Sequence, residues 1–432
     1  MKQHFFKNID NAPLIVFRIF FGFLIACESF GAIFTGWVKQ VFIAPQFTFS
    51  FIGLAWLQPL PGYGMYFYFI IMGVLGLLIM IGFRYKFAII SYTILWAGVY
   101  FMQKSSYNNH YYLLLLISFF MIFLPANRYA SLDVKQRRIA AEHGMPYWIN
   151  LVFISQVALV YFYAALAKFY PGWLDGTFTK LLLEGTTSNS KLLQVFSNKC
   201  FYLFIAYSGI LFDLLIVPLL VFKKTRTIAL LASLGFHLFN AIFLQIGIFP
   251  FFALSLSLFF YPPEKIRALF FKNKPIIDTL QVTNYFGKKT FIYLLIPFFF
   301  VQFLLPLRHH LIKGDVLWTE EGHRLSWRMM LRKRDGFISI TIKDNVTQET
   351  SLYDYYKNLS PKQAQILATK PDFIWQYCQR IKEEYKGKDI SIYIACKNNI
   401  NNGEYKTLIN PKQDFATAKW DYFWHNDWII LH

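Results

Sequence analysis

INLVFISQVALVYFYAALA, residues 149–167, is a run of nineteen side chains without a charge, closed by Lys168 and then by Phe169-Tyr170-Pro171-Gly172-Trp173. At 1.5 Å of rise per residue a helix of that length reaches about 28 Å, close to the thickness of bilayer hydrocarbon. One crossing segment predicts others. Eight more apolar runs fit near residues 13–34, 63–83, 87–102, 111–124, 201–222, 227–244, 247–261 and 289–306, making nine. The runs 111–124 and 247–261 are short, as tilted, broken or re-entrant segments are. Composition agrees: 56% of the 432 residues are apolar, 20% aromatic and only 16% charged, whereas a soluble domain carries roughly a quarter charged residues. Disorder, collagen, coiled coil and a disulfide scaffold are excluded together.

The net charge of +19 would point to nucleic acid if it lay on one soluble face. It does not; the basic residues gather in alternate connectors, and no nucleic-acid partner is expected. With the N-terminus inside, the inner connectors hold seventeen Lys and Arg, among them Arg84, Arg128, Lys223 and Lys274. The outer ones hold six: Lys39, Lys104, Lys168, Lys180, Lys191 and Lys199. The positive-inside rule then places the N-terminus in the cytoplasm and, after an odd number of crossings, the C-terminal tail outside. No cleavable signal peptide is read, because residues 1–11 lead straight into a span too long for a signal core.

The tail is a different material. Alternating runs at 337–342 and 390–394 predict strands, and residues 361–386 predict one or two helices with Pro371 restarting the second. The fold class is therefore an all-α polytopic membrane domain of about nine transmembrane helices, residues 1–306, followed by a small α+β extracytoplasmic domain, residues 307–432. Four cysteines show no close Cys/His pairing, so no metal site is expected. Cys378 and Cys396 share the outer domain, either bridged or as reduced core thiols.

Polar residues at membrane depth carry the information, since each costs about 2.5–3.5 kcal/mol at a helix centre unless paired or wet. Arg18 and Asp213 lie at depths that suit an internal ion pair. His237 and Asn240 share a helix face at i, i+3 with Gln245 just beyond, a pattern common in interhelical hydrogen bonding. Asn108 and Asn109 stand before His110 at the start of the fourth run, where an asparagine can cap the helix and the dipole favours a neutral imidazole. Lys168 follows Ala164-Ala165-Leu166-Ala167, whose small side chains leave room for a close helix neighbour or a flat ligand. It reads either as a lysine snorkelling to headgroups or as a buried amine able to act as a base.

On these residues the chain resembles the vitamin K-dependent γ-glutamyl carboxylase family, whose membrane part is also called the horizontally transferred transmembrane domain. The matching segments run in order over roughly residues 13–345. They include Phe17-Arg18-Ile19-Phe20-Phe21-Gly22, Pro59-Leu60-Pro61, Asn108-Asn109-His110, Pro125-Ala126-Asn127-Arg128-Tyr129 and Lys168 with Gly172-Trp173. Asp213, the stretch 237–247, and Leu305-Pro306-Leu307-Arg308-His309 through Trp318-Thr319 to Ser326-Trp327-Arg328-Met329-Met330 complete them.

The resemblance implies that reduced vitamin K, a naphthoquinol, reacts with O2 on its way to the epoxide. The alkoxide so formed removes a γ-proton from a glutamate in a peptide or protein substrate, and the carbanion takes up CO2. By position Lys168 corresponds to the base that starts the reaction and His110 to a histidine of the carboxylation step. Asn108, Asn109, His237, Asn240 and Gln245 would bind the quinol. Arg308, His309, Trp318, Trp327 and Met329 would line the substrate entrance, the two tryptophans equally fitting interface anchors. Animal members have two adjacent lysines where this chain has Ala167-Lys168, and a much longer lumenal region, so propeptide-directed processive carboxylation is not expected. The implied protein is a γ-glutamyl carboxylase and epoxidase at the outer face of a bacterial cytoplasmic membrane, in contact with lipid and quinol. A quinol epoxidase without peptide carboxylation, or a non-catalytic quinone- or lipid-binding scaffold, are the alternatives.

Overall fold

The computed structural model describes residues 5–187, 198–243, 247–277 and 288–432. The apolar runs form nine helices: α1 (Ala12–Phe34), α2 (Gly64–Ile81), α3 (Tyr85–Met102), α4 (Asn109–Phe123), α5 (Trp148–Leu166), α6 (Lys199–Val221), α7 (Arg226–Phe243), α8 (Phe249–Leu256) and α9 (Lys288–Leu304). Among the described residues seven helices are long and apolar enough to cross a bilayer, while α4 and the segment Phe249–Phe260 are shorter. α4 starts two residues before its hydrophobic run because the Asn108 side chain accepts from the Tyr111 N–H at 2.7 Å, capping the helix as its sequence suggests.

Small residues decide how closely α1 and α2 approach. A Cβ on Gly22 would lie 2.3 Å from the Met80 nitrogen, and one on Gly76 would lie 2.8 Å from that of Ala26, so the two backbones touch where lipid supplies no other drive for association. Gly22→Val is expected to force them apart, since overpacking costs about 1–3 kcal/mol even where side chains can yield, and here the obstacle is backbone. The apparent melting temperature of the detergent-solubilised protein should fall clearly, while Gly31→Val, with nothing within 4 Å, should leave it unchanged.

Arg18 does not pair with Asp213. It is fully buried at the other end of the bundle, where its guanidinium donates to the carbonyls of Ala126 (3.2 Å) and Ala130 (2.7 Å). Gly82, at φ +64°, leaves the space that the guanidinium fills. Asp133 secures the same corner through Arg84 N, Tyr85 N and the Asn127 amide. A carboxylate on α6 was unnecessary for this, because carbonyls of the 126–130 loop accept from both terminal nitrogens of the guanidinium. A small antiparallel pair, β1 (Asn8–Asp10) with β2 (Gly144–Pro146), closes this end, and Asp10 there binds Lys274.

The C-terminal domain is built on a four-stranded antiparallel sheet in the order β4-β3-β5-β6. β3 (Arg334–Asp344) and β5 (Ile390–Ile400) pair along their full lengths, from Arg334↔Ile400 to Asp344↔Ile390; β4 (Thr350–Leu352) and β6 (Lys406–Thr407) flank them. Ile338, Ile340 and Ile342 alternate inward from β3 against α10 (Pro361–Leu367) and α11 (Pro371–Glu384). The expected break at Pro371 is present, and a Ser360–Gln363 capping box starts α10. Cys378 and Cys396 are free buried thiols, the second donating to Ala368 O, so the bridged alternative is set aside.

The two cores interpenetrate. Phe49, from the loop after α1, is fully buried in the C-terminal core against Phe373 (4.5 Å), while Trp327 is fully buried in the helical core against Tyr112 (4.9 Å). The C-terminal domain thus rests on the bundle end that carries the α1–α2 loop, the α3–α4 loop and the end of α5.

Candidate functional site

Lys168 sits in the turn that ends α5, and its side chain folds back along the helix. The ammonium donates to Ala164 O at 3.3 Å and forms an ion pair with Asp213 of α6, both groups buried. Trp173 covers it, with the ring centre 5.3 Å from Nζ. The snorkelling alternative fails for a packing reason: Ala164, Ala165 and Ala167 are buried, and α6 offers Ala206 and Gly209 in return, so the helices close over the amine. The Trp173 indole N–H is anchored on Ala206 O at 3.0 Å. The alanines therefore serve a close helix neighbour.

Two turns back on the same face of α5, Tyr161 meets His237 of α7, with 3.0 Å between the hydroxyl and Nε2. Phe212, the neighbour of Asp213, packs edge-on to Tyr161 and stacks on Phe236 at 3.9 Å. Phe249, at the start of α8, lies between the two histidines: it stacks on His110 at 3.7 Å and meets His237 edge-on at 6.0 Å. The fold thus joins Lys168 to His110 through Asp213, Phe212, Tyr161, His237 and Phe249. Among the described residues, the buried His237 Nδ1 has no hydrogen-bond partner. Asn240 is half-buried one turn further along α7, and Gln245 lies outside the described residues.

The two asparagines are occupied. Asn108 spends its carbonyl on the α4 cap; Asn109 donates to Arg328 O at 2.9 Å and accepts from the Tyr107 hydroxyl at 3.0 Å. They hold His110 in place and tie α4 to the segment around residue 328. A residue that the sequence reading passed over completes this corner. Glu28 of α1 accepts from the Tyr111 hydroxyl at 2.9 Å and takes a backbone hydrogen bond from Ile248, so one carboxylate fastens the residues beside His110 and Phe249. The available signal was an acid inside a spanning run, which the cost of burial marks as functional or paired.

The entrance residues divide. A cavity of about 640 Å³ opens where α5, the segment Leu305–Leu311 and the C-terminal domain meet, lined by Tyr163, Tyr170, His309, Asp315, Ser326 and Arg328 among others. Burial, with Arg332 adding, lowers the Arg328 guanidinium to about 10, so an anion in the cavity would meet a charge that gains from pairing. Arg308 instead donates to Leu305 O and Arg324 O, and Met329 packs partly buried against the bundle. Trp318 and Trp327 are not interface anchors. Trp318 lies in the C-terminal core and donates to Ile430 O at 2.7 Å, and Trp327 is stacked inside the bundle. Their neighbours in sequence suggested an entrance; instead the helical turn Val316–Thr319 carries Trp318 into the C-terminal core, and Trp327, at φ +56°, lies in the helical core.

A buried charge network touches the cavity lining through Arg334, which donates to Leu317 O. Asp372, at the start of α11, binds Lys104 at 2.6 Å and Arg324 at 2.8 Å, and Glu320 is held by Arg332, Arg334 and Lys370. Burial alone would raise both acids, yet Arg324 and Lys104 hold the Asp372 carboxyl below the usual range, and Arg332 and Lys370 do so for Glu320. Among the described residues no three His, Cys, Asp or Glu side chains converge as metal ligands would.

Residues 6–264 match the family model of the HTTM domain, and residues 287–432 match that of the vitamin K-dependent gamma-carboxylase, lumenal domain. No solved structure matches the chain.

Proposed function

Since the chain belongs to the vitamin K-dependent γ-carboxylase family and is an integral membrane protein, we propose that it couples oxidation of reduced vitamin K by O2 to carboxylation of glutamate by CO2. The observation that carries this reading is the buried Lys168–Asp213 pair under Trp173, joined by aromatic packing to His237 and His110. Residues of the kind that would hold a flat phenolic ring gather here: Phe212 and Phe236 stack on each other and Phe249 on His110 around His237, whose Nδ1 is a buried polar atom without a partner among the described residues.

In this reading the bound quinol supplies the strongly basic oxygen that the side chains cannot. Lys168 takes the phenolic proton, and Asp213 lets it do so, because the proton already on the amine can pass to the carboxylate across their shared hydrogen bond. His237, held by Tyr161 at Nε2, would orient the ring through its other nitrogen, Nδ1. The helices around the pair exclude water, which would otherwise quench a carbanion. His110, held on Phe249, would assist the carboxylation step, and Arg328 with His309 would meet the substrate carboxylate in the cavity. By the distribution of basic residues the cavity faces away from the cytoplasm.

The test is to incubate the purified protein with reduced vitamin K, O2, labelled bicarbonate and a short glutamate peptide, measuring epoxide and fixed label. Both products are expected. Epoxide alone would mean quinol epoxidation without carboxylation, and neither would leave a binding scaffold. His110→Ala is expected to lower fixed label at least about ten-fold more than epoxide; equal losses would remove its assigned step.

A further inference from the structure

At the edge of the C-terminal domain, Tyr422, Phe423 and Trp424 are 54%, 77% and 64% exposed. Three consecutive aromatic rings in water are costly, and this turn is not loose. The Asp421 carboxylate accepts from the Phe423 and Trp424 N–H groups at 2.8 and 2.9 Å. Asn426 holds Asp421 N at 2.8 Å and is itself fixed by Glu321. The rings are thus presented outward by a rigid backbone.

They do not stand alone. Tyr422 reaches the α1–α2 loop, where a Cβ on Gly53 would lie 3.5 Å from its hydroxyl. That loop carries Trp56 (77% exposed) and Leu60 (49%), and ends in Tyr63 (77%), the residue that precedes the membrane-spanning helix α2. The loop is ordered too: Leu54 and Leu57 close successive turns at 2.9 Å, and the Thr48 hydroxyl donates to Gln58 Oε1 at 2.7 Å. Tyr63 must lie at the level where α2 leaves the hydrocarbon, so the aromatic edge continues the boundary of the bundle. Trp and Tyr concentrate at that level, because their rings favour the acyl boundary and their polar atoms the headgroups.

We propose that the 421–424 turn and the 53–63 loop form one aromatic edge that inserts into the headgroup region of the bilayer, docking the C-terminal domain onto the lipid surface. The occupant is the lipid interface, not a protein partner. The edge fixes the tilt of the domain over the bundle and leaves the cavity at the junction facing water.

Full-length protein carrying Phe423→Cys, with the exposed Cys27 and Cys200 replaced by serine, would be labelled with an environment-sensitive fluorophore. It would then be placed in phosphatidylcholine vesicles containing doxyl lipid. Parallel samples carry the label at Trp56→Cys and at Val346→Cys, the last 79% exposed at the β3–β4 turn. Shallow doxyl lipid is expected to quench positions 423 and 56 at least about two-fold more than deep doxyl lipid does, and to leave 346 nearly unquenched. An unquenched 423, whether or not 56 is quenched, would overturn the proposal and leave a protein partner to cover the turn. Equal quenching at 423 and 346 would overturn it as well. Because the label reports lipid contact and not turnover, the result is independent of the catalytic reading.

Discussion

Lys168→Ala is expected to lower epoxide formation and carbon fixation together by about 10²- to 10⁴-fold, the range that removal of a positioned base produces. Asp213→Asn should lose both products within about ten-fold of that, because the amide cannot take the proton that the amine must release. A bare loss would not separate chemistry from folding, since removing one partner of a buried ion pair costs about 3–5 kcal/mol. The double variant Lys168→Met/Asp213→Leu separates them. It replaces both charges by apolar groups of similar volume, which is often neutral for stability, so its apparent melting temperature should recover while epoxide stays absent. In Lys168→Ala, an added small amine at rising pH should restore part of both activities. Epoxide formation by Lys168→Ala within about three-fold of the natural protein would sink the assignment.

Asp372→Asn carries the second large effect. It leaves Lys104, from the bundle, and Arg324, from the segment leading to Trp327, buried without their common carboxylate. A cost of about 3–5 kcal/mol follows, and it falls on the contact between the C-terminal domain and the bundle. Limited proteolysis should then cut at the α1–α2 loop or near residue 324 at protease levels that leave the parent intact.

The pH dependence has a definite sign. The Asp372 carboxyl titrates lower in the folded chain than its unfolded value of about 3.9. Its contribution is therefore complete above about pH 5 and drains away as pH falls through about 4 towards the folded value. Glu320 acts in the same sense, so the observable is a shallower acid slope in Asp372→Asn than in the parent. Identical slopes would remove Asp372 from the account.

How far the sequence could be read follows from what each signal depends on. Hydropathy located nine apolar helices, seven of them long enough to cross a bilayer among the described residues, because crossing hydrocarbon is a demand on each segment separately. The Asn108 cap, the Pro371 restart and the β3 and β5 strands were legible for the same reason. The motifs around Lys168 and His110 were legible as polar residues at unusual depth but not as partners. Arg18 seemed to want Asp213 by depth alone, yet the arginine found loop carbonyls and the aspartate found Lys168. Trp318 and Trp327 looked like rim residues, yet each is buried, in two different cores.

What the sequence by itself determined is the membrane-spanning class, the break to an α+β tail, and which side chains bear unusual cost where they lie. Each of those rests on local composition. Tertiary structure alone decided the pairings: Lys168 with Asp213, Glu28 with Tyr111, Lys104 with Asp372, and Phe249 between two histidines. Buried charges must find counter-charges or dipoles, but several candidates satisfy that rule equally, and only helix packing selects among them.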